Sequence, residues 1–600
     1  MTNLDYGIIG NCQSAALISK HGDIEWCCLP QFDSASVFAR ILDEEKGGSF
    51  DVLVDDSYKT NQKYIANTTI LVTEFDNGTD AFEFIDFMPR YKEGDDKYHA
   101  PAEVVRYVKK VKGEPKFRVK YNPKLLYAKE EVYTQNKGEY IKTKTKTGPY
   151  DSVYLYSSFD YDTILNGGEL TLEENAYFLI SYNEKLLQQS VERVYLKMQR
   201  TRVYWLNWSE NTTSYNFYNK EILRSALTLK MLTFDKTGAV LAAATTSLPE
   251  TIGEVRNWDY RFCWIRDASM VIKVVSGLGH DQVAENFLKF IVSLVPNKDE
   301  KMQIMYGIDG QKKLTEIILD HLDGYKGSKP VRIGNAAYEQ SQNDIYGILM
   351  DVIHQLFEKF EKSLFNSEEL WTITKTTVDI VKNNWQKADK GIWEFRTEER
   401  HFTFSKLLCW VAVDRGIKIA DLLHKTKKME KWKKMREEIA AEIHEKAWNE
   451  EKQAFVQSYG SSDLDASTLL MESYGFIDAM DSRYVSTVLA TEKELCNDGL
   501  MYRYKNEDDF GLPSSSFTIC SFWFINSLYK IGHKKKAKDM FDQLLSYSNH
   551  LGLFSEDIDF ETKRLLGNFP QAYSHLALIE TAINFSGGSS EENDVMNLIK

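Results

Sequence analysis

Three stretches of this chain concentrate carboxylates, two of them with arginines and tryptophans within a few residues. The first, Asn257-Trp258-Asp259-Tyr260-Arg261-Phe262-Cys263-Trp264-Ile265-Arg266-Asp267, ends in an Arg–Asp pair. Such a pair can donate to one hydroxyl and accept from its neighbour, and Trp258 and Trp264 could cover the apolar face of a ring. The same residues also read as a buried ion pair, with Asp267 set against a helix N-terminus. The second, Gly391-Ile392-Trp393-Glu394-Phe395-Arg396, places a Glu between two aromatic residues. Partial desolvation there raises a carboxyl pKa, as a general acid near neutral pH requires; a surface Glu beside a core Trp is the plainer alternative. The third, Gly552-Leu553-Phe554-Ser555-Glu556-Asp557-Ile558-Asp559, holds Glu556 in a polar loop, where a carboxylate can stay ionised and activate water, or form no more than a solvated turn. Two carboxyl groups in unlike environments are what cleavage of a glycosidic bond needs. Glu394 and Glu556 lie far apart in sequence, so only a closed fold could join them.

Other chemistries lack their usual signatures. There is no GxxxxGK[ST] loop, GxSxG elbow or HExxH pair, and Gly277-Leu278-Gly279 lacks the third glycine of a dinucleotide fingerprint. The eleven histidines are dispersed, and Asp320-His321-Leu322-Asp323 has no partner cluster. No metal and no organic cofactor is expected.

The elements that must position these loops follow from length and pattern. At 600 residues, the chain exceeds one ordinary core. Hydrophobic residues at 43% and charged residues at 27% argue against extensive disorder. A net charge of −14 disfavours nucleic acid as a partner. Aromatic residues at 13% suit a large core or sugar platforms. Seven scattered cysteines without a CxxC pair suggest reduced thiols and a cytoplasmic protein. The N-terminus carries no signal-peptide pattern, and no apolar run approaches the roughly 20 residues of a membrane helix.

Residues 1–190 read as β, with Thr69–Phe75 and Ala81–Phe87 flanking the hairpin signal Asn77-Gly78. Short strands at 16–19, 23–29, 104–111, 117–121, 138–145, 152–157 and 177–182 complete a sandwich pattern. Residues 191–235 read as a helical linker and the start of a second unit. From 236 to 590 apolar residues recur at helical spacing, as in Phe404, Leu407, Leu408 and Val411. About twelve helices are predicted, near 217–232, 266–278, 281–295, 341–360, 367–385, 404–423, 428–447, 465–472, 480–494, 514–531, 535–547 and 570–585. That count fits an (α/α)6 toroid, and equally a solenoid or an irregular bundle. Residues 591–600 form a C-terminal tail.

Together these motifs resemble glycoside hydrolase family 15, the glucoamylase and prokaryotic trehalase family, in its intracellular branch. The likeness runs from Tyr6–Cys12 and Trp26–Ser34 through Thr245–Glu250, Arg256–Asp267, Gln303–Gly310, Val331–Ala337, Gly391–Arg396 and His401–Lys406. It ends with Asp498–Tyr504, Phe554–Asp559 and Gly567–His575. The resemblance implies an N-terminal β-sandwich, a helical linker and a catalytic (α/α)6 barrel. It implies Glu394 as general acid and Glu556 as general base. Arg266 and Asp267 would hold the terminal glucose, Tyr260 and Trp264 would line the same subsite, and Trp393 and Arg503 would sit near the scissile bond. His321 and Arg332 carry over as further substrate-binding residues. Pro513-Ser514-Ser515-Ser516-Phe517 departs from the Gly-Glu-Gly-Ala-Phe-like run of many bacterial relatives, which bears on the leaving group.

The expected activity is an exo-acting, inverting hydrolysis that releases β-glucose from α-glucosides. Malto- or isomalto-oligosaccharides are the first substrate choice and α,α-trehalose the second. A disaccharide phosphorylase and a non-catalytic glucan-binding protein are the remoter readings.

Overall fold

The computed structural model describes residues 3–94, 97–294, 302–359, 367–396 and 399–587; the expected tail, 591–600, lies outside them. The N-terminal part is built of two antiparallel sheets. One runs Tyr6–Gly10, Ala15–Ser19, Ile24–Cys28, Ser49–Leu53, Lys116–Asn122 and Leu170–Thr171 in spatial order, with Ser36–Phe38 added beside Ile24–Cys28. The other runs Val132–Asn136, Ile141–Thr145, Ser152–Ser157, Ala176–Tyr182, Glu103–Lys112, Ala81–Phe87, Leu71–Asp76 and Lys59–Tyr64. Their inner faces interlock through aromatic edges. Phe84 of the second sheet meets Phe117 of the first at 5.6 Å, and Phe178 meets Phe50 at 5.3 Å. Edge-to-face pairs of this kind add to the burial that holds a sandwich together. Arg106 crosses that core paired with Asp86 at 2.7 Å, a buried charge that is kept because it has its partner.

The helices are α1 (Tyr161–Leu165), inside the β region, and α2 (Val191–Glu210), which follows it. Next come α3 (Asn219–Met231), α4 (Ile265–Gly277), α5 (Asp281–Leu294), α6 (Asp344–Lys359), α7 (Ser367–Asn384), α8 (Thr403–Leu422) and α9 (Met429–Lys446). After the 3₁₀ helix Ala466–Met471 come α10 (Ser482–Leu495), α11 (Thr518–Lys530), α12 (Lys534–Leu545) and α13 (Ala572–Ser586). Val194 and Met198 of α2 cap the outer face of the second sheet at Ile85, Val105 and Leu179.

From α3 onward the helices close on themselves. Packing runs α4 to α6, α6 to α8, α8 to the 3₁₀ helix, then to α11, to α13 and back to α4. α3, α5, α7, α9, α10 and α12 pack outside that ring. The inner helices show why: α8 and α11 are buried on nearly every side, whereas α9 buries only Trp432, Met435, Ile439 and Ile443. A helix apolar all round belongs inside and a one-striped helix outside. The fold is thus a β-sandwich followed by an (α/α)6 barrel. The helix expected at 465–472 is the 3₁₀ element, started by the Asp465 side chain accepting from Ser467 N–H at 2.8 Å.

Candidate active site

A cavity opens at the N-terminal ends of the inner helices. It is lined by Glu250, Trp258, Tyr260, Trp264, Arg266 and Asp267 from the loops and first turn around α4, and by Trp393, Glu394 and Phe395 ahead of α8. Arg503, Asp508 and Phe510 ahead of α11, and Gln571 and Tyr573 at the start of α13, complete it. None of these lining residues comes from the sandwich, which braces the wall from behind. Trp26 Nε1 donates to Ala244 O at 2.9 Å, and Arg261, paired with Asp259 at 2.6 Å, donates to Ser34 O at 2.9 Å.

Glu394 closes the turn Gly391–Glu394 with its N–H on Gly391 O at 3.2 Å, and its φ of 62° lies in the left-handed region. A non-glycine residue accepts that cost only where its surroundings over-determine it. Its Oε1 accepts from Trp264 Nε1 at 2.7 Å and lies 3.7 Å from Arg266 Nη2. Burial pushes this carboxyl above its ordinary range, against the pull of the Arg266 charge and the Trp264 N–H.

Glu556 stands beside the little sheet formed by Ser516–Phe517, Asp557–Ile558 and Leu565–Leu566. It is 1% exposed and meets the cavity at Tyr260, a lining residue. Its Oε1 accepts from Tyr260 Oη at 2.6 Å, and its Oε2 from Asn568 N–H at 3.3 Å. Burial and the nearby Glu250 charge push it above the ordinary carboxyl range, and the Tyr260 hydrogen bond draws it back. The polar loop expected around it is therefore a buried one. A Cβ at Gly567, where φ is +73°, would come within 2.7 Å of the Glu556 side chain, so that close approach requires glycine.

Arg266 and Asp267 open α4. They are a buried ion pair, Nε to Oδ1 at 3.2 Å, in the first turn of a helix, and both line the cavity. Arg266 is fixed by Tyr573 Oη at 2.8 Å, Gln342 Oε1 at 2.9 Å and Asp344 at 3.3 Å. Trp393 donates to Asp465 at 2.9 Å, and Arg503 pairs with Glu250 at 2.9 Å.

Two expected residues lie elsewhere. His321 faces the sandwich, with Nε2 2.8 Å from Tyr127 O. Arg332 is spent on the carbonyls of Val255 and Asn257, both at 2.9 Å, and on the ring of Trp258. Neither lines the cavity. Trp258 does not offer a bare ring either: the guanidinium groups of Arg332 and Arg396 lie 4.5 and 4.4 Å from its centre. Glu250, Asp508 and Tyr573 line the site without having been singled out by sequence reasoning. Glu250 ends the motif Thr245-Thr246-Ser247-Leu248-Pro249-Glu250, and Tyr573 lies in Gly567–His575, so the motifs were visible although the contacts were not. Among the described residues no group of three metal-binding side chains occurs, and no helix is long and apolar enough to cross a membrane.

Comparison with known proteins agrees with this architecture. Residues 216–583 match the model of glycosyl hydrolases family 15, and residues 5–162 match a trehalase-like N-terminal domain. A trehalase of Thermoplasma volcanium is 36% identical, covering 96% of this chain and 92% of the relative. A trehalase of Mycolicibacterium smegmatis is 37% identical, covering 97% and 90%. The crystal structure of a bacterial glucoamylase complexed with acarbose shares the fold at a TM-score of 0.71 and 12% identity, over 97% of this chain and 94% of that one. The chain belongs to glycosyl hydrolases family 15 and is a glycoside hydrolase.

Proposed function

We propose that this glycoside hydrolase is an inverting, exo-acting α-glucosidase whose substrate is α,α-trehalose. One observation carries the mechanistic reading. Two glutamates are held by two neighbouring aromatic donors, Glu394 by Trp264 and Glu556 by Tyr260.

Glu394, on the cavity wall and raised by burial, gives its proton to the glycosidic oxygen as the bond to the anomeric carbon breaks. Glu556 takes a proton from the water that attacks that carbon from the opposite face. Its Oε2, held among the described residues by the long contact from Asn568 N–H, is the oxygen that serves. The oxocarbenium-like charge builds beside the Glu394 and Asp267 carboxylates. Arg266 and Asp267 grip neighbouring hydroxyls of the terminal glucose, and that grip on the chain end makes the action exo. Trp393 and Arg503 stand at the scissile bond.

The choice of trehalose rests on the full-length likeness to trehalases of about the same length. Malto-oligosaccharides are the second reading, since one pocket for the first glucose serves both. The seven cysteines, all free, suit a reducing cytoplasmic setting.

Proton NMR of early products tests this. Inverting attack on trehalose releases one β-glucose, from the attacked unit, and one α-glucose, from the leaving unit. Early α-glucose alone would mean retention, and turnover of maltotriose without trehalose would make the second reading the first.

A further inference from the structure

We propose that Glu250 is a positioning residue for the base: by holding Arg503 in an ion pair it keeps that guanidinium from pairing with Glu556. This rests on the reading of Glu556 as base.

The geometry places Glu250 at a junction. It is 4% exposed, lines the cavity, and pairs through Oε2 with Arg503 Nη2 at 2.9 Å. Its loop is tied to the strand beside Glu556 by Gly567 N–H on Pro249 O at 2.8 Å, next to the Asn568 N–H that Glu556 itself accepts. Three buried carboxyl groups therefore share one region: Glu250, Glu556 and Asp557.

Arg256 and Arg503 bear on them. Arg256 is committed to Asp508 by two contacts of 2.8 Å. Arg503 is committed to Glu250 alone among the described carboxylates, and its Nε has no hydrogen-bond acceptor among the described residues. Asp557 accepts from Ser515 Oγ at 3.0 Å, while its Oδ2 has no donor among the described residues. Tyr260 faces Glu556 as a neutral donor. A guanidinium with a spare N–H beside a desolvated carboxylate would pair with it and quench it as a base. Glu250 takes that guanidinium instead. Its own charge holds Glu556 up, with Arg503 acting more weakly in the opposite sense.

The test is the pH dependence of kcat/KM on trehalose, whose acidic limb reports ionisation of the base. In Glu250→Gln the repulsion is gone and Arg503 is released, so the limb moves to lower pH by about half a unit or more, with a fall in kcat. Glu250→Asp, which keeps the charge, returns the limb toward the parent position. If Glu250→Gln fails to fold, Arg503→Gln carries the test with the opposite sign, a limb moved to higher pH. A loss of kcat or a rise in KM with the limb unmoved would overturn the inference and leave Glu250 a sugar ligand or a brace. Glu556→Gln, measured alongside, separates the two ideas. Its inactivity keeps the base reading whatever Glu250 does, and its retained turnover would overturn both.

Discussion

Tyr260 and Trp264 meet edge to face with ring centres 5.3 Å apart, and each gives its single polar hydrogen to a different glutamate. Two carboxyl groups brought in from distant parts of the chain are thereby registered on one rigid aromatic pair. The pair sits just ahead of α4, where Cys263-Trp264 pairs with Met305-Tyr306 and Arg261 is anchored to the sandwich. Positional precision of this kind is what proton transfer at two points of one bond requires.

Tyr260→Phe removes one hydrogen bond to the ionised base and leaves the ring contact with Trp264. That bond lowers the Glu556 pKa, so its loss raises it. The acidic limb of the kcat/KM profile should move to higher pH, opposite to Glu250→Gln, with kcat down about tenfold at the optimum. An unmoved limb would detach Tyr260 from the base.

The two glutamates are distinguished by leaving group. On trehalose, Glu394→Gln and Glu556→Gln should each lose about 10²–10⁴ in kcat. On α-glucosyl fluoride, whose fluoride departs without a proton, Glu394→Gln should recover to within about tenfold of the parent while Glu556→Gln should not. Recovery in the Glu556 variant instead would exchange the two roles.

Much of the architecture was legible because burial patterns are local. The helix around Phe404–Val411 and the hairpin across Asn77-Gly78 are found where periodicity and turn chemistry put them. The strand Lys59–Tyr64, a Lys-Thr-Asn-Gln-Lys-Tyr run, was missed because it is a polar edge strand burying little beyond Gln62. In the site, Glu394 and Glu556 announced themselves through motifs. The environment of Glu556 did not: its acidic neighbours suggest solvent, whereas Tyr260, Asn568 and Gly567 close around it from elsewhere in the chain. Glu250 could not be assigned a partner because Arg503 lies 253 positions away.

The loop ahead of α11 should set affinity for the leaving sugar. Asp508 accepts twice from Arg256 and once from Tyr504 Oη at 2.6 Å, and close by in sequence Phe510 meets Trp258, both on the cavity lining. Asp508→Asn leaves the Arg256 charge without its counter-ion, at a cost of about 3 kcal/mol. KM for trehalose should rise more than kcat falls, and the thermal midpoint should drop. A lowered kcat at unchanged KM would place the loop at the chemical step instead.

Acid stability should be set in part by two histidines that the fold keeps neutral. His575, with Nδ1 on Ser225 Oγ at 2.9 Å and Nε2 accepting from Phe554 N–H at 3.2 Å, is lowered to about 3, by burial first and the Arg224 charge second. His280, stacked on Trp208 at 3.7 Å, is lowered to about 4, again by burial first and then by Lys230. Between the ordinary value near 6.5 and these shifted ones, the unfolded chain binds protons that the folded chain refuses. Each histidine therefore stabilises the fold fully above about pH 6.5 and loses that contribution at about 1.4 kcal/mol per pH unit as pH falls. The raised carboxyl groups Glu394 and Glu556 act in the opposite sense, since they take up protons more readily when folded. The total slope is thus a contest, and a single variant isolates one side of it. His280→Phe keeps a ring against Trp208 and removes one proton site. Its thermal midpoint relative to the parent should improve steadily from pH 6.5 to 4.5, by the equivalent of up to about 2.7 kcal/mol. A constant difference between the two proteins across that window would show that His280 already carries a proton in the folded state.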